Sequence, residues 1–160
     1  MSGMRTEVRI DAGRLWGAGL ATSAIAAVAG AVVFLFATKI FDMTLRVRTG
    51  SGPYEELGLI QVLIVGFLAG VVATAVLHLF LRFVPRPKVF FFWLAFLAMI
   101  ASLLAPLSLQ ITDKAKIWLC AMHIVDGIVI ISLLMATASR VRVEGPRVLD
   151  EPLDGGTRAI

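Results

Sequence analysis

The sequence predicts an all-α polytopic membrane protein, an antiparallel bundle of four transmembrane helices with both termini in the cytoplasm. Three observations lead there. Of 160 residues, 59% are hydrophobic and only 16% charged, and the mean hydropathy is +0.91, which is more apolar surface than a soluble domain of this size can bury. The apolar residues gather in four runs, residues 15–38, 57–81, 89–109 and 117–138, each near the roughly 20 helical residues that a hydrocarbon core of about 30 Å requires. Each run is also continuous, whereas a membrane barrel shows alternating segments of about ten residues.

Residues 1–14 form a basic leading segment with Arg5, Arg9 and Arg14. The first run resembles a secretory signal only in its flank, since a signal core ends after roughly 7 to 15 residues. This one continues through Val32, Val33, Phe34, Leu35 and Phe36 without a polar break, and reads as a retained anchor. In the loop that follows, Leu45-Arg46-Val47-Arg48 alternates apolar with basic and meets the breakers Thr49-Gly50-Ser51-Gly52-Pro53. That pattern predicts a short extended or interfacial segment and then a turn. The loop is either an ordinary interfacial connection or a contact surface for a partner. Val84-Pro85-Arg86-Pro87-Lys88 stops the second helix and starts the third, because proline breaks a helix interior but suits its first turn. Runs two and three are thus antiparallel neighbours. Pro106 interrupts the third run, and residues 139–160, with Pro146, Pro152, Gly155 and Gly156, are expected to form a flexible tail.

Cations near span ends resist translocation and so set orientation. Arg5, Arg9, Arg14, Arg82, Arg86, Lys88, Arg140, Arg142, Arg147 and Arg158 fall on the side of the termini, against Lys39, Arg46, Arg48, Lys114 and Lys116 opposite. The termini are therefore expected in the cytoplasm, with Trp16 and Trp93 near that interface and Tyr54 and Trp118 near the outer one. The net charge of +4 is dispersed along span edges without a basic stripe, so anionic headgroups explain it better than nucleic acid.

Helices in lipid associate by close backbone approach. Gly66-Phe67-Leu68-Ala69-Gly70 is a GxxxG in the second run, continued at the same spacing by Thr74. Ala18, Thr22, Ala26 and Gly30 form a second small row in the first. These faces are expected to zip spans one and two together, or else to receive a helix of another protein.

Asp126 lies near the middle of the fourth run, where an ionised carboxylate costs about 2.5 to 3.5 kcal/mol on insertion scales. It must therefore face protein, a partner or a wet cavity. His123 is three residues away and lies on nearly the same helical face. At 1.5 Å per residue, Asp126 and Ser102 each lie about 18 Å into their spans from the cytoplasmic end. Pro106 cannot donate to the carbonyl of Ser102, so a protonated Asp126 could tie span four to span three there. A proton or cation relay through His123 and Asp126, or a contact with a ligand or another subunit, stays open. His78, about 12 Å away in depth from Asp126, is expected to snorkel at the interface with Arg82. No metal or other cofactor is expected.

Other functions are excluded by what is missing. The single cysteine, Cys120, rules out an internal disulfide and a CxxC redox pair. HExxH, GxSxG, a Walker loop and paired acids within a span are all absent, so no enzyme is expected.

Arg14-Leu15-Trp16-Gly17-Ala18-Gly19-Leu20, Leu77-His78-Leu79 followed by Pro85-Arg86-Pro87, and a proline-broken third span before a polar fourth resemble an uncharacterised family of small four-span membrane proteins of actinobacteria. The resemblance covers most of residues 14–138 and implies an actinobacterial inner (plasma) membrane, with no catalytic residue. The resulting expectation is a non-catalytic accessory or stabilising subunit bound to other integral membrane proteins, for example in a lipid or solute importer. The alternative is a small oligomeric proton-linked transporter or channel using Asp126 and His123.

Overall fold

The computed structural model describes residues 8–48 and 52–144. In chain order these form β1 (Val8–Ile10), α1 (Ala12–Leu35) prolonged by a π-helical turn (Phe36–Ile40), β2 (Arg46–Arg48), β3 (Tyr54–Glu56), α2 (Leu59–Phe83), α3 (Pro87–Ser102), α4 (Leu104–Ser108), α5 (Asp113–Arg140) and β4 (Arg142–Glu144). Four apolar helical segments are long enough to cross a bilayer: Ala12–Ile40, Leu59–Phe83, Pro87–Ser108 and Asp113–Arg140.

The helix limits follow local chemistry more than the edges of the apolar runs. The Asp11 carboxylate accepts the Arg14 backbone N–H at 3.0 Å and starts α1 at Ala12, three residues before the first apolar run. Thr112 caps α5 likewise, accepting from Ala115 N at 3.4 Å, so the helix begins at Asp113 and takes Lys114 and Lys116 into its first turns. Each cap supplies an acceptor to an N–H that the helix itself cannot satisfy. α2 starts at Leu59, with the Gly58 N–H held by Gln61 Oε1 at 2.8 Å, and ends at Phe83, ahead of Pro85. Pro87 opens α3 at its first position, where a missing N–H costs nothing. Pro106, lacking the donor that the Ser102 carbonyl would need, coincides with a break at Leu103, and the chain resumes as the single turn of α4.

The alternation at Arg46-Val47-Arg48 does form a strand, paired antiparallel with β3 in the register Arg46↔Glu56 and Arg48↔Tyr54. The other pairing was not foreseen. β1 and β4 pair antiparallel, Val8 opposite Glu144 and Ile10 opposite Arg142, so the two ends of the described chain meet at one end of the bundle. Of the stretch 139–160 expected to be a flexible tail, the first residues end α5 and form β4, and residues 145–160 lie outside the described residues.

α1 is the central helix, packed on α2 and α5, while α3 leans on the flanks of α2 and α5. Two apolar clusters result. One, at the end where the termini meet, joins Leu15, Leu77, Phe91, Leu134 and Ala138. The other, beneath the β2–β3 hairpin, joins Phe34, Leu45, Val62, Leu119 and Met122. Burial is inverted relative to a soluble protein: Ser23 and Thr74 are 0% exposed, whereas Ile60 is 71% and Phe83 72% exposed. An apolar exterior of this extent needs lipid around it. The chain is a multi-pass membrane protein.

Candidate functional site

The closest helix contact follows a strict antiparallel register. A Cβ built on Gly19 would collide with Thr74, one on Gly70 would stand 2.6 Å from Ser23 Cα, and one on Gly66 would stand 3.0 Å from Ala27 Cα. The facing rows are thus Gly19, Ser23 and Ala27 on α1 against Thr74, Gly70 and Gly66 on α2. No hydroxyl bridges them: Ser23 Oγ donates to Gly19 O at 2.8 Å and Thr74 Oγ1 to Gly70 O at 2.8 Å, each within its own helix. Contact between backbones, rather than hydrogen bonding, holds this seam.

The small row expected to make that seam on α1 lies one residue aside. Thr22 and Ala26 are buried and Ala18 half-buried, with Ala26 packed among Ile130 and Leu134 of α5. Gly30, at the end of the row, faces Asp126: a Cβ there would lie 2.7 Å from Asp126 Oδ1 and 2.9 Å from Oδ2. Gly66 approaches the same carboxyl from α2, its built Cβ 3.5 Å from Oδ2. Two glycines on two helices therefore make the space that the Asp126 side chain fills. Oδ1 is buried there without a hydrogen-bond partner.

This placement differs from the expected tie to span three. Ser102 Oγ donates to Met99 O at 2.7 Å within its own turn, and Asp126 is rotated about its helix toward α1. The depth estimate brought Asp126 and Ser102 to one level, and they do border a common space. A cavity of about 520 Å³ lies between α2, α3 and α5, with Ser102, His123 and Asp126 in its wall. It reaches from Val47 and Leu57 under the hairpin to Ala73 and Ile130. From Gln61 to Ala73 along α2, that is about 18 Å of helix, or roughly half the bilayer.

The cavity exists because the facing surfaces carry little side chain: Ala69 and Ala73 on α2, Ala95 and Ala98 on α3, and Gly127 on α5. Gly127 also admits Met99, whose Cγ and Sδ would each stand 2.5 Å from a Cβ at that position. Gln61, Val65, Ala69 and Ala98 line the space yet remain exposed, so it opens sideways between α2 and α3 toward lipid. Apart from Gln61, Ser102, His123 and Asp126, every lining residue is apolar or glycine. An apolar chamber of this size with a few polar groups is the usual form of a small-molecule site.

His123 Nδ1 lies 2.9 Å from Leu119 O. A carbonyl only accepts, so Nδ1 carries the hydrogen and Nε2 is the remaining polar atom of the ring. His78 is remote from this set. Its Nδ1 accepts the indole N–H of Trp16 at 3.0 Å, joining α1 to α2, while the Arg82 guanidinium lies 5.7 Å from the Phe83 ring centroid. Among the described residues, no three His, Cys, Asp or Glu side chains gather to hold a metal ion.

Residues 10–140 match the model of a family described as a family of unknown function, DUF6069. This chain belongs to that family. The family match covers all four spans, both seam rows and every residue of the chamber wall. No curated protein and no solved structure matches the chain.

The chamber uses residues that sequence reasoning passed over, among them Gln61, Ala95, Ala98 and Gly127. The available signal was the alanine-rich face of α3 opposite the alanines of α2, and the glycine directly after an intramembrane acid.

Proposed function

We propose that the chain is a non-catalytic subunit of a larger plasma-membrane assembly, and that its part is to hold a lipid or another small amphiphile within the bilayer. The observation that carries this reading is the sideways-open chamber between α2, α3 and α5, apolar except for four side chains. A non-catalytic role suits that wall. Ser102 Oγ and His123 Nδ1 are both spent on carbonyls of their own helix, and Asp126 has no second carboxyl beside it in the wall. A lipid or solute importer is the kind of assembly that would use such a part. Arg14, Arg82, Arg86, Lys88 and Arg140 flank the ends of the spans nearest the termini, which supports a cytoplasmic position for that end.

The test is isolation from native membranes in mild detergent, with proteins and lipids of the eluate identified by mass spectrometry. Other integral membrane proteins at defined stoichiometry are expected. Recovery of this chain alone, at monomer or homo-oligomer mass, would remove the assembly from the proposal.

A second reading is favoured by one feature. His123 and Asp126 both border a space that starts beneath the hairpin and stops near mid-depth, as a one-sided path to a proton-exchanging carboxyl would. On that reading the chain is a small oligomeric proton-linked transporter or channel. Asp126→Asn keeps the shape and removes the exchange, so pH-dependent flux in proteoliposomes is lost with folding intact. Unchanged flux would refute it.

A further inference from the structure

Resting on the holding role proposed above, we infer that the chamber selects a lipophilic amine: a small apolar body carrying one protonated nitrogen, seated with that nitrogen on Asp126. The wall limits the choice. Its apolar lining rewards a hydrocarbon body, whereas an isolated charge within it is costly unless paired. The one carboxyl in the wall belongs to Asp126, and the described lining holds no Lys or Arg to pair with it. Ser102 is bonded to Met99 O, and His123, whose Nδ1 is bonded to Leu119 O, is the one other titratable side chain in the described wall. Asp126 borders the chamber, although its Oδ1 is turned toward Gly30 of α1 and is buried there without a hydrogen-bond partner.

A two-chain phospholipid fits this arrangement poorly. Its headgroup stays at the membrane interface, near Val47 and Leu57, and only a chain would reach the depth of Asp126, leaving the carboxyl as it is. An amine small enough for about 520 Å³ brings a charged donor to the carboxyl at that depth and leaves by the gap between α2 and α3. The ammonium and carboxylate then enter the apolar space as a neutral pair, joined by a charge-assisted hydrogen bond.

The experiment uses the full chain in nanodiscs of zwitterionic phospholipid. One probe is a short alkyl chain with a mid-chain diazirine and a terminal primary amine; its match ends in a methyl group. After photolysis, labelled residues are mapped by mass spectrometry. The amine probe is expected to label chamber positions such as Ala95, Ala98 and Met99 about tenfold more than the methyl probe, a ratio typical of a hydrogen bond to a charged group. Asp126→Asn removes the preference. Ala98→Trp, which fills the opening and leaves Asp126 in place, removes labelling by both probes. Equal labelling by both probes, confined to the chamber and lost in Ala98→Trp, overturns the amine selectivity while the holding role stands. Labelling scattered over lipid-facing residues by both probes overturns the selectivity and the holding role together.

Discussion

Gly70→Ala is the sharpest mechanical test of the bundle. The added methyl would lie 2.5 Å from Ser23 Oγ, 2.6 Å from its Cα and 2.8 Å from its Cβ, where ordinary contact begins at 3.4 Å. A Cα cannot swing aside as a side-chain tip can, so α1 and α2 must separate by close to 1 Å. A radial gap of about 0.5 to 1 Å forfeits a quarter to a half of each dispersion contact, and neighbouring pairs at Gly19–Thr74 and Ala27–Gly66 share the loss. Overpacking of this kind costs about 1 to 3 kcal/mol. The control is Gly17→Ala, on the partner helix α1, where the new Cβ meets nothing within 4 Å. It is expected to be neutral or to stabilise by up to about 1 kcal/mol, the helix-propensity difference. The measurement is unfolding of the purified protein in mixed micelles of increasing SDS fraction, followed by helical circular dichroism. Gly70→Ala unfolding together with the wild type would show that the seam is not the closest contact in the membrane.

Gly30→Ala should destabilise by about 1 to 3 kcal/mol, because its Cβ would stand 2.7 Å from Asp126 Oδ1. In an Asp126→Ala background most of that cost should vanish, a coupling of at least about 1 kcal/mol by double-mutant cycle; additive effects would mean that the two residues do not meet. Trp16→Phe removes the donor to His78 Nδ1 and should cost about 0.5 to 1.5 kcal/mol in the same SDS titration, with a shift smaller than the error refuting the bond. Arg46→Ala should change stability by less than about 1 kcal/mol, since the Arg46–Glu56 pair is 3.7 Å apart and its side chains are 59% and 70% exposed. A larger loss would mean that the hairpin is held by this ion pair.

The spans were legible because a continuous apolar run has one physical meaning at this length. Their ends were not, because Asp11 and Thr112, which start α1 and α5, are polar residues outside those runs. Gly66, Gly70 and Thr74 could be read as one face of α2. On α1, small residues occupy two adjacent rows, and composition alone does not say which row meets α2 and which meets α5. Asp126 stood out for the same reason that the spans did, its mismatch with hydrocarbon. Rise per residue gives its depth but not its direction around the helix axis, so Ser102 was found at the right level and Gly30 was missed. The pairing of Val8–Ile10 with Arg142–Glu144 left no trace, since three residues are too few for a periodic signal.

The place of α1 in the bundle also dictates an order of assembly. α1 leaves the ribosome before the three spans arranged around it, and its second partner, α5, follows α2 and α3. Until α5 inserts, the flank containing Ala26 and Gly30 has only lipid against it, and β1 waits for a strand not yet synthesised. Synthesis halted before residue 113 would leave this flank bare, a natural target for membrane quality control.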